Sequence, residues 1–301
     1  MHKNYIILAH KNPGQILRLI QKLNDDSSSF YIHIDINSDA KSFEAILSEL
    51  PNVNFIKNRE SGTWGDLGIV KATVNAMKEI VKSEKKGYCI LLSGQDYPIK
   101  SIDTINTHYI ENDGYDFIDI SPIREVFPTE WSIRLNYYKY NLSNKRGKYI
   151  WFSSKVDQSF LSINFIKNII KIILYRRDLT FIKEIVGNFN KKRIIPCDMI
   201  PYAGAQWWSL TFETTSKIID FIDKNPALYE YNKYSLLPDE TFFQTIIKHL
   251  SLKDENIKIK DSTTYANWSR KNCDLPVTFN DTDFGELTSL PKHKLFARKF
   301  D

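Results

Sequence analysis

The chain has 301 residues, of which 42% are hydrophobic and 26% are charged. This composition excludes a globally disordered protein and is typical of a globular enzyme with a large core. The net charge of +5 suits a small anionic ligand, and we expect no nucleic acid among the partners.

Over the first 120 residues, short runs rich in β-branched and aromatic residues alternate with helical patterns. Predicted strands cover residues 5–9, 30–36, 53–56, 88–93 and 116–120. The clearest helix begins near Asp66, where Val70, Val74, Met77 and Val81 recur at spacings of four, three and four. The alternation predicts an α/β fold with a mostly parallel, Rossmann-like sheet and helices on both faces. Ligands of such sheets bind beyond the carboxyl ends of the strands.

Residues 121–200 interrupt this alternation, and we interpret them as an insertion over the active-site face. Residues 124–148 are aromatic and basic. Residues 165–195 combine isoleucine with eight basic side chains against only Asp178 and Glu184. The second stretch is typical of an interfacial segment that contacts a membrane, and a buried helix pair with a solvated basic face is the equal alternative.

Regular elements return from residue 201, with a strand over 207–210, a helix over 214–224 and a helix starting at Pro238. The tail, 274–301, is predicted to be a loop plus a short helix. Because no repeat or low-complexity linker separates these parts, we predict a single domain over 1–301. Within it, residues 1–120 form the first half, 121–200 the insertion and 201–301 the second half.

The cysteines and the amino-terminal sequence together indicate the cellular compartment of the protein. Cys89, Cys197 and Cys273 show neither CxxC pairing nor zinc-site spacing, which argues against a disulfide framework and favours a reducing compartment. The first apolar run is too short for a signal peptide, and no stretch of about 20 apolar residues predicts a transmembrane helix. We expect a bacterial-type cytoplasmic protein, with peripheral contact to the inner membrane left open.

Two segments of the first half offer contacts for a nucleotide. The strand ending in Asp35 suits a carboxylate that binds a base or ribose, and a turn or cap aspartate is the alternative. Gly62, Gly65 and Gly68 lie at three-residue spacing before the helix near Asp66. They suit either a backbone that approaches a diphosphate at a helix N-terminus or a tight turn.

The run 91–100 follows a buried strand and holds one carboxylate, Asp96. A metal-using glycosyltransferase of this architecture carries Asp-x-Asp here, since paired carboxylates hold a divalent cation. The literal Asp281-Thr282-Asp283 lies in a polar loop, and we interpret it as chance. If no metal is bound, cations must neutralise the leaving diphosphate. The tail offers Lys292, Lys294, Arg298 and Lys299, for which a solvated helix is the alternative.

The second half holds a candidate base and candidate sugar-binding rings. Pro238-Asp239-Glu240 is a helix N-terminus by pattern, and its functional interpretation is that one acid is the general base for a sugar hydroxyl. Trp268 lies in the run 265–270, and Trp207 in the run 204–208. An exposed tryptophan stacks on the apolar face of a sugar, whereas a core tryptophan is the commoner outcome.

These motifs follow one order along the chain. His33-x-Asp35 is followed by Gly62-Thr63-Trp64-Gly65, residues 92–100, Gly204-Ala205-Gln206-Trp207-Trp208, residues 238–245, Asn267-Trp268-Ser269 and residues 295–301. The series resembles the core-2/I-branching enzyme family (glycosyltransferase family 14), which includes peptide O-xylosyltransferases. The resemblance spans residues 5–301.

The resemblance implies a GT-A type fold, inversion at the anomeric carbon and catalysis without a metal ion. It implies that Glu240 is the base, that Lys299 contacts the donor diphosphate and that Asp35 contacts the nucleotide. We also assign Asp96 to the donor site. The family's second diphosphate-binding cation has no Arg or Lys equivalent in 275–279, and we take Arg270 as its substitute.

The same resemblance implies an acceptor site in the second half and the insertion. Trp268 corresponds to the tryptophan that packs on the acceptor sugar. An acidic-Trp-x-x-Arg stretch of the family corresponds to Glu130, Trp131 and Arg134. We add Trp207 to this acceptor site as a further candidate.

The expected function is inverting, metal-independent transfer of a sugar from a UDP-sugar, with N-acetylglucosamine as the expected sugar. The acceptor is a glycan hydroxyl in bacterial surface polysaccharide synthesis, and a lipid-linked glycan is one form of it. No cofactor is expected, and the UDP-sugar is a co-substrate. The alternatives are a xylosyltransferase of the same family, a carbohydrate-binding protein without turnover, and a glycoside hydrolase that uses Asp239 or Glu240.

Overall fold

The computed structural model describes residues 1–143, 147–153, 167, 168, 170–172, 174, 179–189 and 191–301. The strands with defined bounds are β1 (His2–Ala9), β2 (Ser28–Ile34), β3 (Val53–Phe55), β4 (Gly87–Ser93), β5 (Asp96–Pro98), β6 (Tyr115–Ile118), β7 (Ser121–Pro122), β8 (Tyr138–Asn141), β9 (Tyr149–Phe152), β10 (Tyr202–Ala203), β11 (Trp208–Thr211), β12 (Lys258–Lys260), β13 (Thr264–Ala266) and β14 (Phe296–Arg298). The helices with defined bounds are α1 (Pro13–Leu23), α2 (Ala40–Leu47), α3 (Leu67–Ser83), α4 (Ile102–Glu111), α5 (Ile123–Val126), α6 (Trp131–Asn136), α7 (Leu179–Phe189), α8 (Phe212–Lys224), α9 (Ala227–Asn232), α10 (Phe242–Ser251) and α11 (Phe284–Ser289).

A seven-stranded sheet in the order β12-β6-β11-β4-β1-β2-β3 forms the centre of the protein. Neighbouring strands are parallel except at β11, which runs antiparallel to both β4 and β6. The prediction of an α/β fold with a mostly parallel central sheet is therefore confirmed. The architecture is consistent with a GT-A type glycosyltransferase.

Apolar side chains leave the central strands on alternate faces and are covered by helices on each face. Tyr5 and Ile7 of β1 pack with the buried face of α1, whereas Ile6 packs with α3. Val70 and Met77, two residues of the predicted apolar face of α3, are fully buried. Successive side chains of a strand point to opposite faces of the sheet. The sequence of a strand that is buried on both faces is therefore a continuous apolar run.

The carboxyl-terminal tail differs from the predicted loop plus short helix. The short helix exists as α11, but the tail then forms β14, which pairs with β13 and β5 in a three-stranded sheet. In this register Arg298 stands opposite Asp96. Three residues are too short a strand to show alternation in the sequence, so the pairing partner decides the structure.

The insertion contains a β-hairpin covered by helical residues. Strands β8 and β9 pair in antiparallel fashion. Tyr138, Tyr140 and Phe152 pack with Ile172 and Ile185 in a separate apolar cluster. Part of the predicted membrane-contact segment, 165–195, lies outside the described residues. Among the described helices, none has the length and apolar character needed to cross a bilayer.

Candidate active site

The loop that follows β2 forms one side of the site, at the carboxyl edge of the central sheet. The carboxylate of Asp35 accepts hydrogen bonds from the backbone N–H groups of Asn37, at 2.7 Å, and Gly62. A Cβ at Gly62 would lie 2.7 Å from Oδ2 of Asp35, so a larger residue would push the Asp35 carboxylate out of this contact. The Arg59 guanidinium donates to the backbone oxygens of Ile34 and Asp35. Asp35 therefore organises the loop, and its contact with a nucleotide stays a prediction.

The carboxyl-terminal tail returns to the same edge. The backbone N–H of Phe300 donates to the Gln95 carbonyl at 2.8 Å, and Asp301 pairs with Lys11. Burial lowers the pKa of His10, and the charges of Lys11, Asp35, Asp301 and Lys299 all act on its ring. Lys299 therefore lies near His10, which directly follows the carboxyl end of β1.

Asp96 is completely buried rather than open to a ligand. Its Oδ2 accepts hydrogen bonds from the backbone N–H and the hydroxyl of Ser93, each at 2.5 Å. Its Oδ1 lies 3.8 Å from Nε of Arg298, whose guanidinium stacks on Trp207 at 4.0 Å. Burial raises the pKa of Asp96, and Arg298 opposes that rise. Asp96 anchors Arg298, and the stacked guanidinium leaves Trp207 little surface for a sugar.

Arg270 is held by carboxylates. Its Nη2 lies 2.6 Å from Asp283 and 2.7 Å from Glu286. Asp283 also closes a capping box with Asn280 at a short 3₁₀ turn. The literal Asp-x-Asp therefore has a structural role here, and the charge of Arg270 is already neutralised. That placement argues against Arg270 as a cation for a diphosphate.

The candidate base lies on a 3₁₀ turn, Pro238–Glu240, before α10 begins at Phe242. Leu237 enters this turn with a φ of 51°, and its N–H donates to the Gly65 carbonyl. The backbone carbonyl of Glu240 accepts a hydrogen bond from the Gly204 N–H at 3.0 Å. These contacts fix the turn that carries the carboxylate.

The structure brings Glu240, Arg134 and Glu130 together, although 110 positions separate Glu130 from Glu240 in the chain. Nη1 of Arg134 lies 2.8 Å from Oε2 of Glu240, and Nη2 lies 3.3 Å from Oε2 of Glu130. The side chain of Arg134 is 4% exposed, whereas Glu240 is 25% and Glu130 is 53% exposed. A base, a buried cation and a second carboxylate thus form one charged group.

The surroundings of the candidate base raise its pKa. Burial raises the pKa of the Glu240 carboxyl, Arg134 lowers it and Glu130 raises it, with a net rise. Burial, together with the charge of Glu240, also raises the pKa of Asp239. A general base is most effective when its pKa lies close to the working pH.

The predicted aromatic residues of the acceptor site differ in exposure. Trp268 is 61% exposed at the tip of a turn. Oδ1 of Asn267 holds this turn by accepting from the N–H groups of Ser269 and Arg270 at 3.0 and 3.1 Å. Trp131 is half-buried beneath the guanidinium of Arg124, at 4.3 Å. Trp268 therefore offers a free ring face, unlike Trp207.

Sequence reasoning assigned no role to Lys139, a buried cation beside the site. Its ammonium lies 2.7 Å from Asp66 and 2.8 Å from the Gly65 carbonyl. It joins the hairpin of the insertion to the glycine loop before α3. The only indication of this role in the sequence is a lysine between two aromatic residues in the run 138–140. Its partner, Asp66, lies 73 positions earlier in the chain. Within the described residues, no group of three or more His, Cys, Asp or Glu side chains is arranged to hold a metal ion.

Comparison with known proteins places this chain among sugar-transferring enzymes. A family model described as Core-2/I-Branching enzyme matches residues 4–288. Xylosyltransferase 2 of Rattus norvegicus is 23% identical over 99% of this chain and 32% of its own length. An N-acetyllactosaminide beta-1,6-N-acetylglucosaminyl-transferase of Homo sapiens is 27% identical over 50% of this chain and 38% of its own. The chain spans about a third of the length of the curated relatives it matches.

Proposed function

The chain belongs to the Core-2/I-Branching enzyme family, and from this premise we propose that it transfers a sugar from a UDP-sugar to a glycan hydroxyl. The observation that carries the proposal is the Glu240 carboxylate, held by a buried arginine and partly open to solvent. A base in this setting suits removal of a hydroxyl proton. We take N-acetylglucosamine as the sugar and a bacterial surface glycan, including a lipid-linked one, as the acceptor.

In the proposed reaction, one oxygen of Glu240 accepts the proton of the acceptor hydroxyl. The acceptor oxygen attacks the anomeric carbon and forms the new glycosidic bond. The bond from that carbon to the diphosphate breaks, and its electron pair leaves with UDP, so the anomeric configuration inverts. Lys299, near the carboxyl end of β1, stabilises the departing charge.

Glu240→Gln tests the role of the base. We expect the transfer rate to fall by about 10²–10⁴-fold, since that is the usual contribution of a positioned general base. UDP binding should be unchanged, because the amide removes only the proton acceptor. Transfer is measured with UDP-sugars and a glycan array, and UDP affinity by calorimetry. Near-normal turnover in this variant would rule out Glu240 as the base.

Glu79→Gln is the matched control for this experiment. Glu79 is a half-exposed helical glutamate paired with Lys82 at 2.9 Å, away from the site. Its substitution should change neither transfer nor UDP affinity. A loss equal to that of Glu240→Gln would indicate a general effect of removing one negative charge.

A xylosyl donor is the second candidate, and the relatives support it as well as the first. The xylosyltransferase of Rattus norvegicus matches 99% of this chain, whereas the N-acetyllactosaminide beta-1,6-N-acetylglucosaminyl-transferase of Homo sapiens matches 50%. Parallel assays with UDP-N-acetylglucosamine and UDP-xylose decide between them. Transfer of xylose alone would replace our assignment of the sugar without changing the proposed mechanism.

Two other functions predict different outcomes in the same assays. A carbohydrate-binding protein without turnover would bind glycan and show no affinity for UDP. A glycoside hydrolase would release free sugar from a glycan in the absence of nucleotide. Either result would overturn the proposed transferase activity.

A further inference from the structure

The guanidinium of Arg134 is shared between two carboxylates of unequal exposure. Its contact with Glu240 is 2.8 Å and its contact with Glu130 is 3.3 Å. Only one of these carboxylates, Glu240, is largely withdrawn from water. A buried carboxylate loses hydration and depends on its partner to remain charged.

Several contacts keep Arg134 in this position. Its guanidinium carbon lies 3.5 Å from the centre of the Phe127 ring. Glu130 precedes α6 and is one helical turn before Arg134. The Arg134 carbonyl accepts a hydrogen bond from Arg193 at 3.3 Å. The planar guanidinium can therefore bond both carboxylates at once, which a lysine ammonium cannot do with the same geometry.

Glu240 uses only one of its two oxygens for this pairing. Oε2 accepts from Arg134, and among the described residues no donor contacts Oε1. The backbone of Glu240 is fixed at both groups, since its N–H donates to Leu237 and its carbonyl accepts from Gly204. One carboxylate oxygen is therefore tied down and the other is free.

We infer that Arg134 is a positioning residue for the proposed transfer: it holds Glu240 ionised through Oε2, leaves Oε1 to take the acceptor proton, and then pairs with Glu130. This inference rests on the proposed function for its catalytic meaning. When Oε1 receives the proton, Glu240 becomes neutral and its attraction for the guanidinium weakens. Glu130, already 3.3 Å away, keeps the buried cation paired at that moment. No charge in the group is left without a partner during the reaction.

Other charged and titratable groups face this site and stay constant in the test. Asp239 precedes Glu240, and Lys139 and Arg298 both act on Asp239. Tyr149 faces Glu130 and Arg134. Because none of these groups is changed, a shift in the titration of Glu240 can be traced to the substituted residue.

The experiment compares Arg134→Met with Glu130→Gln, because the two variants should shift the titration in opposite directions. Loss of the cation raises the pKa of Glu240, so the acid limb of kcat/KM moves to higher pH by about one unit or more. Loss of the second carboxylate lowers the pKa of Glu240, so the limb moves to lower pH. The second shift is smaller, since Glu130 is half exposed and its charge is screened.

Arg134→Lys and Glu79→Gln complete the series. The lysine keeps the charge and should return the acid limb most of the way to its original pH, with a lower kcat because the forked contact is lost. Glu79→Gln, far from the site, should leave the limb unchanged. If Arg134→Met does not fold, Glu130→Gln still tests the inference, because a shift of its acid limb to higher pH would contradict it.

A titration of Glu240 that needs no enzymatic turnover distinguishes failure of this inference from failure of the proposed function. Carbon-13 NMR of protein labelled at the glutamate carboxyls gives the titration of Glu240, assigned by its absence in Glu240→Gln. An unshifted signal in Arg134→Met, or shifts of one direction in both variants, overturns the inference. Opposite shifts without transfer from any UDP-sugar would support the role of Arg134 in holding the charge of Glu240 and reject the transferase.

Discussion

Three cations that could meet the donor diphosphate differ in how far neighbouring carboxylates neutralise them. Arg270 bonds to two carboxylates, and Arg298 lies 3.8 Å from the buried Asp96. Lys299 has no ion pair among the residues that the structure describes. The cation without a protein partner is the one most available to a diphosphate, because binding it there breaks no existing ion pair.

Lys299→Met tests whether Lys299 is the cation that binds the diphosphate, because methionine lacks the ammonium group but keeps an apolar side chain of similar length. We expect the Kd for UDP to rise about 10- to 100-fold, since a hydrogen bond to a charged group contributes about 1.5–3 kcal/mol. Calorimetric titration with UDP measures the change. Arg270→Met is the matched control and should leave the Kd unchanged while lowering the thermal stability. Equal losses of affinity in the two variants would contradict the assignment to Lys299.

At the scale of elements, β2 and the loop after β3 are joined by a buried histidine. Nε2 of His33 accepts a hydrogen bond from the backbone N–H of Glu60 at 2.8 Å. This contact requires a neutral ring, because a protonated imidazole has no acceptor. Burial lowers the pKa of His33 to about 4. His33 therefore supports the loop whose Gly62 contacts Asp35.

The protein should lose stability as the pH falls from about 6.5 to about 4, because His33 then takes a proton only in the unfolded chain. The contribution of this group to the free energy of unfolding is present at neutral pH and amounts to about 3 kcal/mol. Urea unfolding at several pH values measures it.

His33→Gln removes this titration and should flatten the pH dependence in the same range. His293→Gln, at an exposed position, is the control and should keep the slope of the unsubstituted protein. An unchanged slope in His33→Gln would assign the acid sensitivity to other groups.

The insertion presents a mixed basic and apolar helical face to solvent. Lys167, Ile170, Lys171 and Leu174 are exposed at positions i, i+3, i+4 and i+7, where the described residues are helical. Ile172 points the other way, into the apolar cluster over the hairpin. Side chains at this spacing share one side of a helix, so the stripe faces away from the core. Membrane contact through 165–195 stays a prediction.

The protein should sediment with liposomes that contain anionic lipid at low salt. Each lysine near an anionic surface contributes about 1 kcal/mol, and added salt screens it. Replacing Lys167 and Lys171 together by glutamate should abolish sedimentation, whereas Leu252→Ser, at another exposed apolar position, should not. If the unsubstituted protein does not sediment at low salt, the predicted membrane contact through 165–195 is wrong.

At the scale of the whole molecule, the tail carries Lys299, which has no ion pair among the described residues, to the edge of the central sheet. Arg298 enters with β14, and Lys299 follows it at the carboxyl edge. Positive charge beside a leaving diphosphate does the electrostatic work that a divalent ion does in other enzymes. We therefore expect transfer without added metal.

Chelation tests this expectation. Transfer with a UDP-sugar should proceed at the same rate in the presence of EDTA as in its absence, because protein cations stabilise the diphosphate. Dialysed protein assayed with EDTA, with Mg²⁺ and with Mn²⁺ gives the comparison. Loss of transfer in EDTA and recovery with Mn²⁺ would show that the cations of the tail are insufficient.

Residues in long, regular elements were predictable, whereas short elements and their partners were not. The strand 88–93 and the helix after Asp66 follow from apolar runs and 3.6-residue spacing, and both exist as β4 and α3. The position of β11 between β4 and β6, and its antiparallel direction, could not be predicted, because the residues of a strand do not reveal its partner or its direction. β14 is only three residues long, and the sequence predicted a loop plus a short helix for the tail that contains it.

The α/β class and the family follow from the sequence alone, because periodicity and motif order can be recognised along the chain without knowing the fold. The helix predicted to start at Pro238 begins only at Phe242, after the 3₁₀ turn that carries Glu240. Which charges meet depends on how elements that lie far apart in the sequence pack together. Arg134 reaches Glu240 across 106 positions, Arg298 reaches Asp96 across the small sheet, and Arg270 is drawn to Asp283 and Glu286. Burial and distance set the strength of these pairs, and both arise only when the elements pack together.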